Sequence, residues 1–413
     1  MKQNTTYKQT ELGLIPEDWE VKKFNKFSKF YSGGTPLTSK SEYYGGEIPF
    51  IKSGEIYYDR TEQFLTQEGL NNSSAKLVYR GDLLYALYGA NSGEVAISQL
   101  EGAINQAILC IQQNKDEAET IYLYNYLKLE KSNIINKFLQ GGQGNLSADI
   151  IKNLQIPLPP LSEQKKIADC LSTWDCAIEK QNALINALTQ RKKALMQQLL
   201  TGKKRLPGFS GEWKEVKLGD IGEISSAGVD KNIVEGEKPI RLLNFLDVYR
   251  RDFLYSHEQN HWVTANDYKI EKCSIKKGDV FFTPSSEVPN DIAISAVAME
   301  NFDNVVYSYH IVRFRIKEKW DLRYKAYAFK TDEFFKQAQR ICDGSGQRYV
   351  ISQNNFKNIK IKIPSLEEQT AIAEILATAD RELALQKEKL AQLQTQKKGL
   401  MQVLLTGKKR LIN

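Results

Sequence analysis

The first residues that could carry chemistry are carboxylates with a neighbouring lysine. Glu17, Asp18 and Glu20 precede Lys22 within six positions, and carboxylates beside a lysine are groups that a metal-dependent nuclease can use. Their spacing is too tight to supply ligands from two separate strands, and residues 19–21 fit a short strand better. The pattern therefore favours a structural segment over a nuclease site.

Two of the three histidines lie four positions apart. At this spacing His257 and His261 could share one face of a helix, as paired metal ligands do. The neighbouring Tyr255, Asn260 and Trp262 indicate a loop or an aromatic surface instead, and a third ligand is missing nearby. A metal site is therefore the less favoured interpretation, and no nucleophile–histidine–carboxylate set can be assembled either.

Other catalytic signatures are also absent. Thr201-Gly-Lys-Lys lacks the glycine spacing and the hydroxyl of a phosphate-binding loop, and no Gly-x-Gly-x-x-Gly follows a strand pattern. Pro157-Leu-Pro-Pro lacks the leading amide and trailing aromatic residue of amino-methyltransferases. The chain is interpreted as a protein that binds and does not catalyse. Two alternatives stay open: a stand-alone nuclease or methyltransferase with an unrecognised site, and a coiled-coil scaffold that binds only protein.

Length and composition predict more than one domain. At 413 residues and 47.1 kDa the chain exceeds what one hydrophobic core serves. A mean hydropathy of −0.45 and the absence of any long apolar run argue against a membrane span. Five scattered cysteines without a Cys-x-x-Cys pair favour a reducing cytoplasm. The net charge of +7, divided as +3 over residues 1–206 and +4 over 207–413, permits a nucleic-acid partner.

The chain repeats itself at an offset of 205 positions. Residues 161–206 align with 366–411 without a gap, and 23 of the 46 pairs are identical. Weaker echoes relate Trp19 to Trp213 and Gly81-Asp82 to Gly278-Asp279. This period is far longer than that of a solenoid. The sequence therefore predicts a tandem duplication of one whole domain.

Each half has a mixed segment followed by a helical one. Strand-like runs occupy residues 82–87 and 311–316, and residues 119–129 read as helix. Prolines at 157, 159, 160 and 364 mark the change to helix, since proline does not continue a strand or lie inside a helix. Glu163 is expected to supply first-turn charge, and Lys203, Lys204 and Arg205 to suit the helix end. The predicted segments are 1–155, 156–206, 207–360 and 361–413.

The helical segments carry heptads with apolar residues spaced alternately three and four positions apart, which is typical of a coiled coil. Parallel pairing would place Lys192 against Lys397 inside the seam, which charge repulsion disfavours. Antiparallel pairing centred on Gln181 and Gln386 places Lys192 near Leu376 and Glu374. The seam is predicted to contain Leu171, Trp174, Ile178, Gln181, Ile185, Leu188, Leu376, Leu383, Gln386, Leu390 and Leu393. As a helix, residues 161–200 would span about 60 Å, or roughly 18 base pairs of DNA.

These motifs resemble one known family. The run Pro157-Leu-Pro-Pro-Leu-Ser-Glu-Gln, its echo Ile363-Pro-Ser-Leu-Glu-Glu-Gln, and Leu-Leu-Thr-Gly-Lys closing both helices are similar to the specificity subunit of type I restriction–modification systems. Gly13-Leu-Ile-Pro-Glu-Asp-Trp resembles the beginning of that family's domains, and Gly81-Asp82 with Tyr88-Gly89 resembles its target-recognition domains. The resemblance covers essentially the whole chain.

The resemblance implies a fold and a function. The fold is α+β, with two target-recognition domains of mixed α/β content separated by an antiparallel coiled coil and related by a pseudo-twofold repeat. Each domain would read one half of a bipartite double-stranded DNA sequence, and the helices would set the spacing and dock two adenine-N6 methyltransferase (modification) subunits. Two restriction subunits would complete the cytoplasmic, prokaryotic complex. The chain itself would bind no cofactor, while S-adenosylmethionine would belong to the modification subunits and ATP with Mg²⁺ to the restriction subunits.

The two domains are expected to read different half-sites. Shortly after Gly278-Asp279 the second domain reads Phe-Phe-Thr-Pro-Ser-Ser-Glu, where the first has Tyr-Ala-Leu-Tyr-Gly-Ala-Asn. Loop position and polar chemistry select the candidate DNA-binding residues. In the first domain these are Ser32, Thr35, Lys52, Tyr88, Asn91, Ser92, Gln106, Gln143 and Asn145. In the second they are Asn244, Arg250, Arg251, Ser285, Ser286, Asn290, His310, Gln347, Arg348 and Tyr349.

Overall fold

The structure, a computed structural model, describes residues 6–139, 145–345 and 348–412. The chain forms two compact units, residues 1–182 with 388–413 and residues 183–387. Both units combine sheets with helices, which confirms the α+β class. Each unit includes a part of both long helices, because the division falls within them.

The first unit contains two four-stranded sheets and two smaller strand pairs. Its strands are β1 (Tyr7–Thr10), β2 (Gly13–Pro16), β3 (Glu20–Lys23), β4 (Ser28–Ser32), β5 (Tyr44–Ile51), β6 (Phe64–Leu65), β7 (Lys76–Val78), β8 (Leu83–Ala86), β9 (Val95–Ile97), β10 (Gly102–Ile104), β11 (Ile108–Gln113) and β12 (Gln155–Leu158). Its helices are α1 (Gln67–Asn71), α2 (Thr120–Leu139), α3 (Ala148–Lys152) and the first part of α4 (Leu161–Leu199). The sheet orders are β6-β5-β10-β7 and β4-β11-β8-β9, with β5 and β10 parallel.

Among its described residues, the second unit contains sheets of five, three and three strands and one strand pair. Its strands are β13 (Lys214–Lys217), β14 (Gly222–Ser225), β15 (Lys238–Leu243), β16 (Phe253–Leu254), β17 (His261–Ala265), β18 (Val280–Phe282), β19 (Ser285–Ser286), β20 (Ser295–Ala298), β21 (Val305–Tyr307), β22 (Val312–Ile316), β23 (Asp343–Ser345), β24 (Arg348–Val350) and β25 (Lys360–Ile363). Its helices are α5 (Leu218–Ile221), α6 (Phe245–Arg250), α7 (Asp267–Lys272), α8 (Leu322–Ala328), α9 (Asp332–Arg340), α10 (Gln353–Asn358), the second part of α4 and the first part of α11 (Leu366–Leu404). The second part of α11 belongs to the first unit.

The two units repeat one topology. The order β4-β11-β8-β9 in the first unit corresponds to β14-β22-β18-β20 in the second, where β16 adds a fifth strand. In the first unit β5 pairs antiparallel with β6 and parallel with β10. In the second unit β15 likewise pairs antiparallel with β17 and parallel with β21. The predicted internal duplication is thus visible in strand pairing that no short motif reveals.

An antiparallel strand pair leads into each long helix. β3 pairs with β12 in the first unit, and β13 pairs with β25 in the second. Pro157 lies inside β12 opposite Val21, so the expectation that this proline cannot continue a strand was wrong. Proline is tolerated there because a two-stranded sheet consists only of edges, where the missing N–H can face away from the partner.

The long helices are antiparallel neighbours within each unit, which confirms the predicted orientation. In the first unit Lys397 Nζ lies 2.5 Å from Asp175 Oδ1, and in the second Lys192 pairs with Asp380. These two ion pairs are equivalent under the 205-residue repeat. The partner of Lys192, Asp380, lies about one helical turn beyond the predicted neighbour Leu376. The predicted closeness of Lys192 to Leu376 and Glu374 stays a prediction.

Burial along the helices follows the heptads. Leu171, Gln181, Ile185, Leu188 and Leu376 are buried. The remaining predicted seam positions are partly buried: Trp174, Ile178, Leu383, Gln386, Leu390 and Leu393. The meeting of Gln181 with Gln386 stays a prediction.

The glutamate of the repeated Glu-Gln motif forms an ion pair and a tryptophan hydrogen bond at the start of each long helix. Glu163, which is 2% exposed, accepts hydrogen bonds of 2.7 Å from Arg410 and one of 3.2 Å from Trp19 Nε1. Glu368 does the same with Arg205 and Trp213, at 2.7, 2.8 and 3.0 Å. Glu163 and Arg205 therefore form buried or half-buried ion pairs with partners that are distant in the sequence. The sequence analysis treated the two residues only as charges suited to helix ends and did not predict these ion pairs.

The adjacent glutamines bind backbone groups. Gln164 Nε2 donates to the carbonyls of Pro159 and Glu117, and its Oε1 accepts from the Glu119 N–H, each at 2.9 Å. Gln369 repeats this arrangement with the Pro364 carbonyl and the Asp321 N–H. These contacts tie the start of each long helix to the helix that follows β11 or β22.

Glycines end both long helices. Gly202 and Gly407 have φ of 69° and 71°, and they follow the last turns of α4 and α11. A left-handed residue at this position is favourable for glycine because it lacks a Cβ. The observed ends agree with those expected from Thr-Gly-Lys-Lys.

Candidate nucleic-acid interface

Two glycines bring the β4 end of the first unit close to its second sheet. A Cβ on Gly33 would lie 1.7 Å from the Ile104 carbonyl oxygen, and one on Gly34 would lie 1.8 Å from Ser74 Oγ. Only glycine allows this approach. The turn carries Thr35 to the surface, where its hydroxyl donates a 2.7 Å hydrogen bond to Gln106 Oε1.

Thr35 lines a polar cleft of about 340 Å³ in the first unit. Lys52, just after β5, and Asn105, just after β10, also line this cleft. The cleft therefore contains two predicted residues, Thr35 and Lys52, and a third, Gln106, is hydrogen-bonded to Thr35. Hydroxyl, ammonium and amide groups of this kind can donate to and accept from base edges.

The other predicted residues of the first unit differ from one another in burial and in hydrogen bonding. Ser92 Oγ donates to the Leu87 carbonyl at 2.9 Å, and Tyr88 packs against the hydrophobic core. Asn91 is half-buried beside Gly54, Ser32 ends β4, and Asn145 is exposed. Gln143 lies outside the described residues.

A small sheet gathers the predicted residues of the second unit. β24 pairs with β19, which places Ser285 opposite Val350 and Ser286 opposite Tyr349. Ser285, Ser286 and Arg348 line a cleft of about 600 Å³ together with Tyr249 and Asp291. Tyr249 donates a hydrogen bond of 3.2 Å to Asp291 Oδ2. Two predicted pairs, Ser285-Ser286 and Arg348-Tyr349, are more than 60 positions apart in the sequence and thus lie on one small sheet.

His310 lies within the electrostatic influence of this surface. Burial, together with the positive charges of Lys231 and Arg348, lowers the pKa of His310 below its ordinary value of 6.5. Its ring is 3.9 Å, centroid to centroid, from that of Tyr309. Lys231 was not among the predicted residues, and its proximity to His310 could not be read from the sequence.

The remaining predicted residues of the second unit have local roles or are exposed. Asn244 caps α6 in a capping box with Asp247, and Arg251 pairs with Asp247 at 3.1 Å. Arg250 and Asn290 are exposed. Gln347 lies outside the described residues. Whether any of these side chains contacts DNA stays a prediction.

Arg313 and Arg315 are turned toward the interior of the second unit. Arg313 is 4% exposed and donates to the carbonyls of Lys272 and Ser274. Arg315 forms a two-bond ion pair with the buried Asp279, at 2.6 and 2.7 Å. Both guanidiniums therefore serve the interior of the second unit.

The residues that suggested catalysis are also placed in other roles. His257 lies in a short 3-10 helix and His261 begins β17, so the two do not share a helix face. Asp18 binds Arg410, which lowers the pKa of Asp18, and Lys22 pairs with Glu117 at 3.1 Å. Across the described ranges no three His, Cys, Asp or Glu side chains are arranged to hold a metal ion.

Several cleft residues were not predicted from sequence. In the first unit these are Thr38, Tyr44, Phe50, Gln63 and Asn105, and in the second they are Phe245, Tyr249, Glu287, Val288 and Asp291. Asn105 had a usable signal, because it adjoins the predicted Gln106 in a loop after a strand. Gln63 had none, since only strand pairing brings it beside Lys52. In the part of the chain that the structure describes, no helix has the length and apolar character of a membrane span.

Comparison with known proteins agrees with this architecture. The family model described as "Type I restriction modification DNA specificity domain" matches residues 16–190 and again 210–395. The chain belongs to this family of type I restriction–modification specificity proteins. The two matches coincide with the two repeats of the sequence, so the suspected family is confirmed.

Two relatives match nearly the whole chain and about half of it, respectively. The MjaVIII specificity subunit of Methanocaldococcus jannaschii is 28% identical over 97% of this chain and 95% of its own length. The specificity subunit of EcoR124I/EcoR124II from Escherichia coli is 25% identical over 46% of this chain and 47% of its own. These relatives are named as specificity subunits of type I restriction enzymes.

Solved structures show the same fold. A chain from a type I restriction–modification system superposes with a TM-score of 0.64 at 17% identity, covering 96% of this chain and 99% of its own. The specificity subunit from M. genitalium superposes with a TM-score of 0.53 at 15% identity, covering 98% and 97%. The fold of the whole chain is therefore that of type I specificity subunits.

Proposed function

We propose that this specificity subunit directs a DNA methyltransferase complex to a bipartite sequence, with each unit reading one half. The observation that carries the proposal is that one repeated topology supports two clefts with different linings. The cleft of the first unit presents Thr35 and Lys52, and that of the second presents Ser285 and Arg348. Different donor and acceptor patterns on matching scaffolds are suited to two different base sequences.

The charge distribution supports binding within a larger complex. Net charges of +3 and +4 on the two halves give each half little general affinity for phosphate. Tight binding at physiological salt would then require cations from partner subunits. In this proposal two modification subunits dock on the long helices and methylate adenine N6 with S-adenosylmethionine.

The proposal assigns no catalytic residue to this chain. The clefts hold hydroxyl, amide and cationic groups suited to hydrogen bonding, and the three histidines lie at separate positions. Cleavage belongs, in the proposal, to two restriction subunits that use ATP and Mg²⁺. The chain itself contributes base recognition, positioning and spacing.

Spacing is assigned to the long helices. Each contains 39 residues, which corresponds to about 58 Å at 1.5 Å per residue. Ion pairs and apolar seams hold the two helices together in each unit. Paired helices resist bending more than a flexible linker does, so they suit a fixed number of base pairs between half-sites.

Adenine methylation across a genome tests the proposal. Cells producing the chain with its modification subunits should methylate adenines in one split sequence with a constant spacer. Replacing Thr35 and Gln106 by alanine should change only one half of that sequence, and replacing Ser285 and Ser286 only the other. The purified chain, given S-adenosylmethionine or ATP with Mg²⁺, should neither methylate nor cleave DNA. A continuous target, or activity of the chain alone, would contradict the proposal.

A further inference from the structure

The cleft of the second unit contains an exposed arginine. Arg348 is exposed at the start of β24 and faces the cleft that Glu287 and Asp291 also line. Among the described residues its guanidinium makes no hydrogen bond and no ion pair, with these carboxylates or with any other group. The five N–H donors of this side chain are therefore available in a cleft that also offers acceptors.

This combination matches the major-groove edge of one base pair. A guanidinium can donate two hydrogen bonds to O6 and N7 of guanine, and a carboxylate can accept from the N4 amino group of cytosine. Asp291 is oriented by the 3.2 Å hydrogen bond from Tyr249, which leaves further acceptor positions on its carboxylate. Donor and acceptor groups for a G·C pair thus lie on the walls of one cleft.

We infer that Arg348 reads a guanine in the half-site of the second unit, with Asp291 or Glu287 accepting from the paired cytosine. The inference rests on the proposed function and deepens it by naming a base. The alternative role for Arg348 is a phosphate contact. The two carboxylates argue against that role, because they would repel a phosphate but would attract the amino groups of bases.

A second cation near Arg348, Lys231, is suited to a different kind of DNA contact. Lys231 and Arg348 both act on His310 through their positive charge, so all three lie in one region of the surface. Lys231 is exposed and outside the carboxylate-lined cleft, where a lysine suits the phosphate backbone. Arg348 would then specify a base while Lys231 holds the backbone.

Three substitutions of Arg348 distinguish a base contact from a phosphate contact. Arg348→Ala removes the donors, and Arg348→Lys keeps the charge but lacks the paired N–H donors of the guanidinium. Arg348→Gln supplies an amide that pairs with adenine N6 and N7. Arg323→Ala is the matched control, because Arg323 is exposed in the same unit on α8 but does not line the cleft. Each variant would be produced with the modification subunits, and adenine methylation mapped across the genome.

The wild-type protein should require a guanine at one position of one half-site. Arg348→Ala should reduce discrimination at that position by about fivefold or more, and Arg348→Gln should favour adenine there. The other half-site and the spacer should stay unchanged, which would also show that the variants fold and assemble. The control should keep the wild-type target.

Three results would overturn the inference. A second half-site without any G·C pair contradicts it, and so does a guanine requirement that survives Arg348→Ala. A uniform loss of methylation that is rescued by Arg348→Lys, with target choice intact, would assign Arg348 to phosphate. These results would not contradict the proposed bipartite function. A wild-type chain that directs no methylation of a split sequence would contradict both the proposed function and the inference about Arg348.

Discussion

Arg410 and Glu163 are joined by two hydrogen bonds of 2.7 Å although 247 positions separate them. Their side chains are 7% and 2% exposed, and Asp18 adds two further bonds to the same guanidinium. The 205-residue repeat places Arg205 against Glu368 in the second unit with the same two-bond geometry. The identical Glu-Gln and Lys-Lys-Arg motifs in the two helical segments therefore supply equivalent ion pairs in two units.

Removing Arg410 should destabilise the first unit strongly. Arg410→Ala leaves the buried carboxylate of Glu163 without its cation, and breaking a buried pair in this way costs about 3 kcal/mol or more. Arg205→Ala should lower the free energy of unfolding by less, because Arg205 is 28% exposed. In addition, the described partners of Arg205 include no second carboxylate equivalent to Asp18. Urea unfolding of both variants would measure the difference. Equal losses in the two variants would show that burial does not govern these pairs.

The helix ion pair in the first unit should be sensitive to loss of its carboxylate. Asp175→Asn leaves Lys397, whose side chain is 7% exposed, without a counter-charge. We expect a loss of about 1–2 kcal/mol, less than for a fully buried pair because Asp175 is 40% exposed. Adding Lys397→Met should recover much of the stability, since a buried apolar side chain needs no partner. Lys398→Met, at an exposed position of the same helix, is the control and should change stability little.

The environment of His310 should be visible by NMR. Burial and the charges of Lys231 and Arg348 lower the pKa of His310, so the folded protein favours the neutral ring. The associated stability is therefore fully present above the ordinary value of 6.5 and is lost as pH falls through the lower folded pKa. Arg348→Ala should raise the pKa of His310 toward its ordinary value. With only three histidines in the chain, each signal can be assigned by substitution. An unchanged pKa in this variant would contradict the proximity of the two side chains.

The length of the helices should set the spacer between half-sites. Inserting one heptad into the middle of each long helix adds about 10 Å, which corresponds to about three base pairs. Both insertions together should lengthen the methylated sequence by that amount and keep both halves unchanged. Inserting four glycine–serine residues after Pro207 is the matched control, because Arg205 and Leu206 before it are held in the second unit. A spacer that changes only in the control would assign spacing to the connector.

Some local elements could be predicted from sequence because their patterns are short-range. The strand expected at 82–87 is Leu83–Ala86, and the one expected at 311–316 is Val312–Ile316. The helix expected at 119–129 begins at Thr120 and continues to Leu139. Helix and strand periodicity report burial on one face and say little about where an element ends.

The clefts could be predicted only in part. Chemistry and loop position selected Thr35, Lys52, Ser285 and Arg348, all of which line clefts. The same criteria selected Asn244, which takes part in a capping box at the start of α6. A polar side chain on a loop can serve a ligand or the backbone with equal chemistry, so its partner decides its role.

The sequence by itself determined the duplication, the heptad seams and the family, because each depends on comparing residues along the chain. Only the tertiary structure decided that Glu163 meets Arg410, that Lys192 meets Asp380, and which polar residues share a cleft. These relationships join positions tens to hundreds of residues apart. They depend on how whole sheets and helices bury their apolar faces together, and no local pattern encodes that outcome.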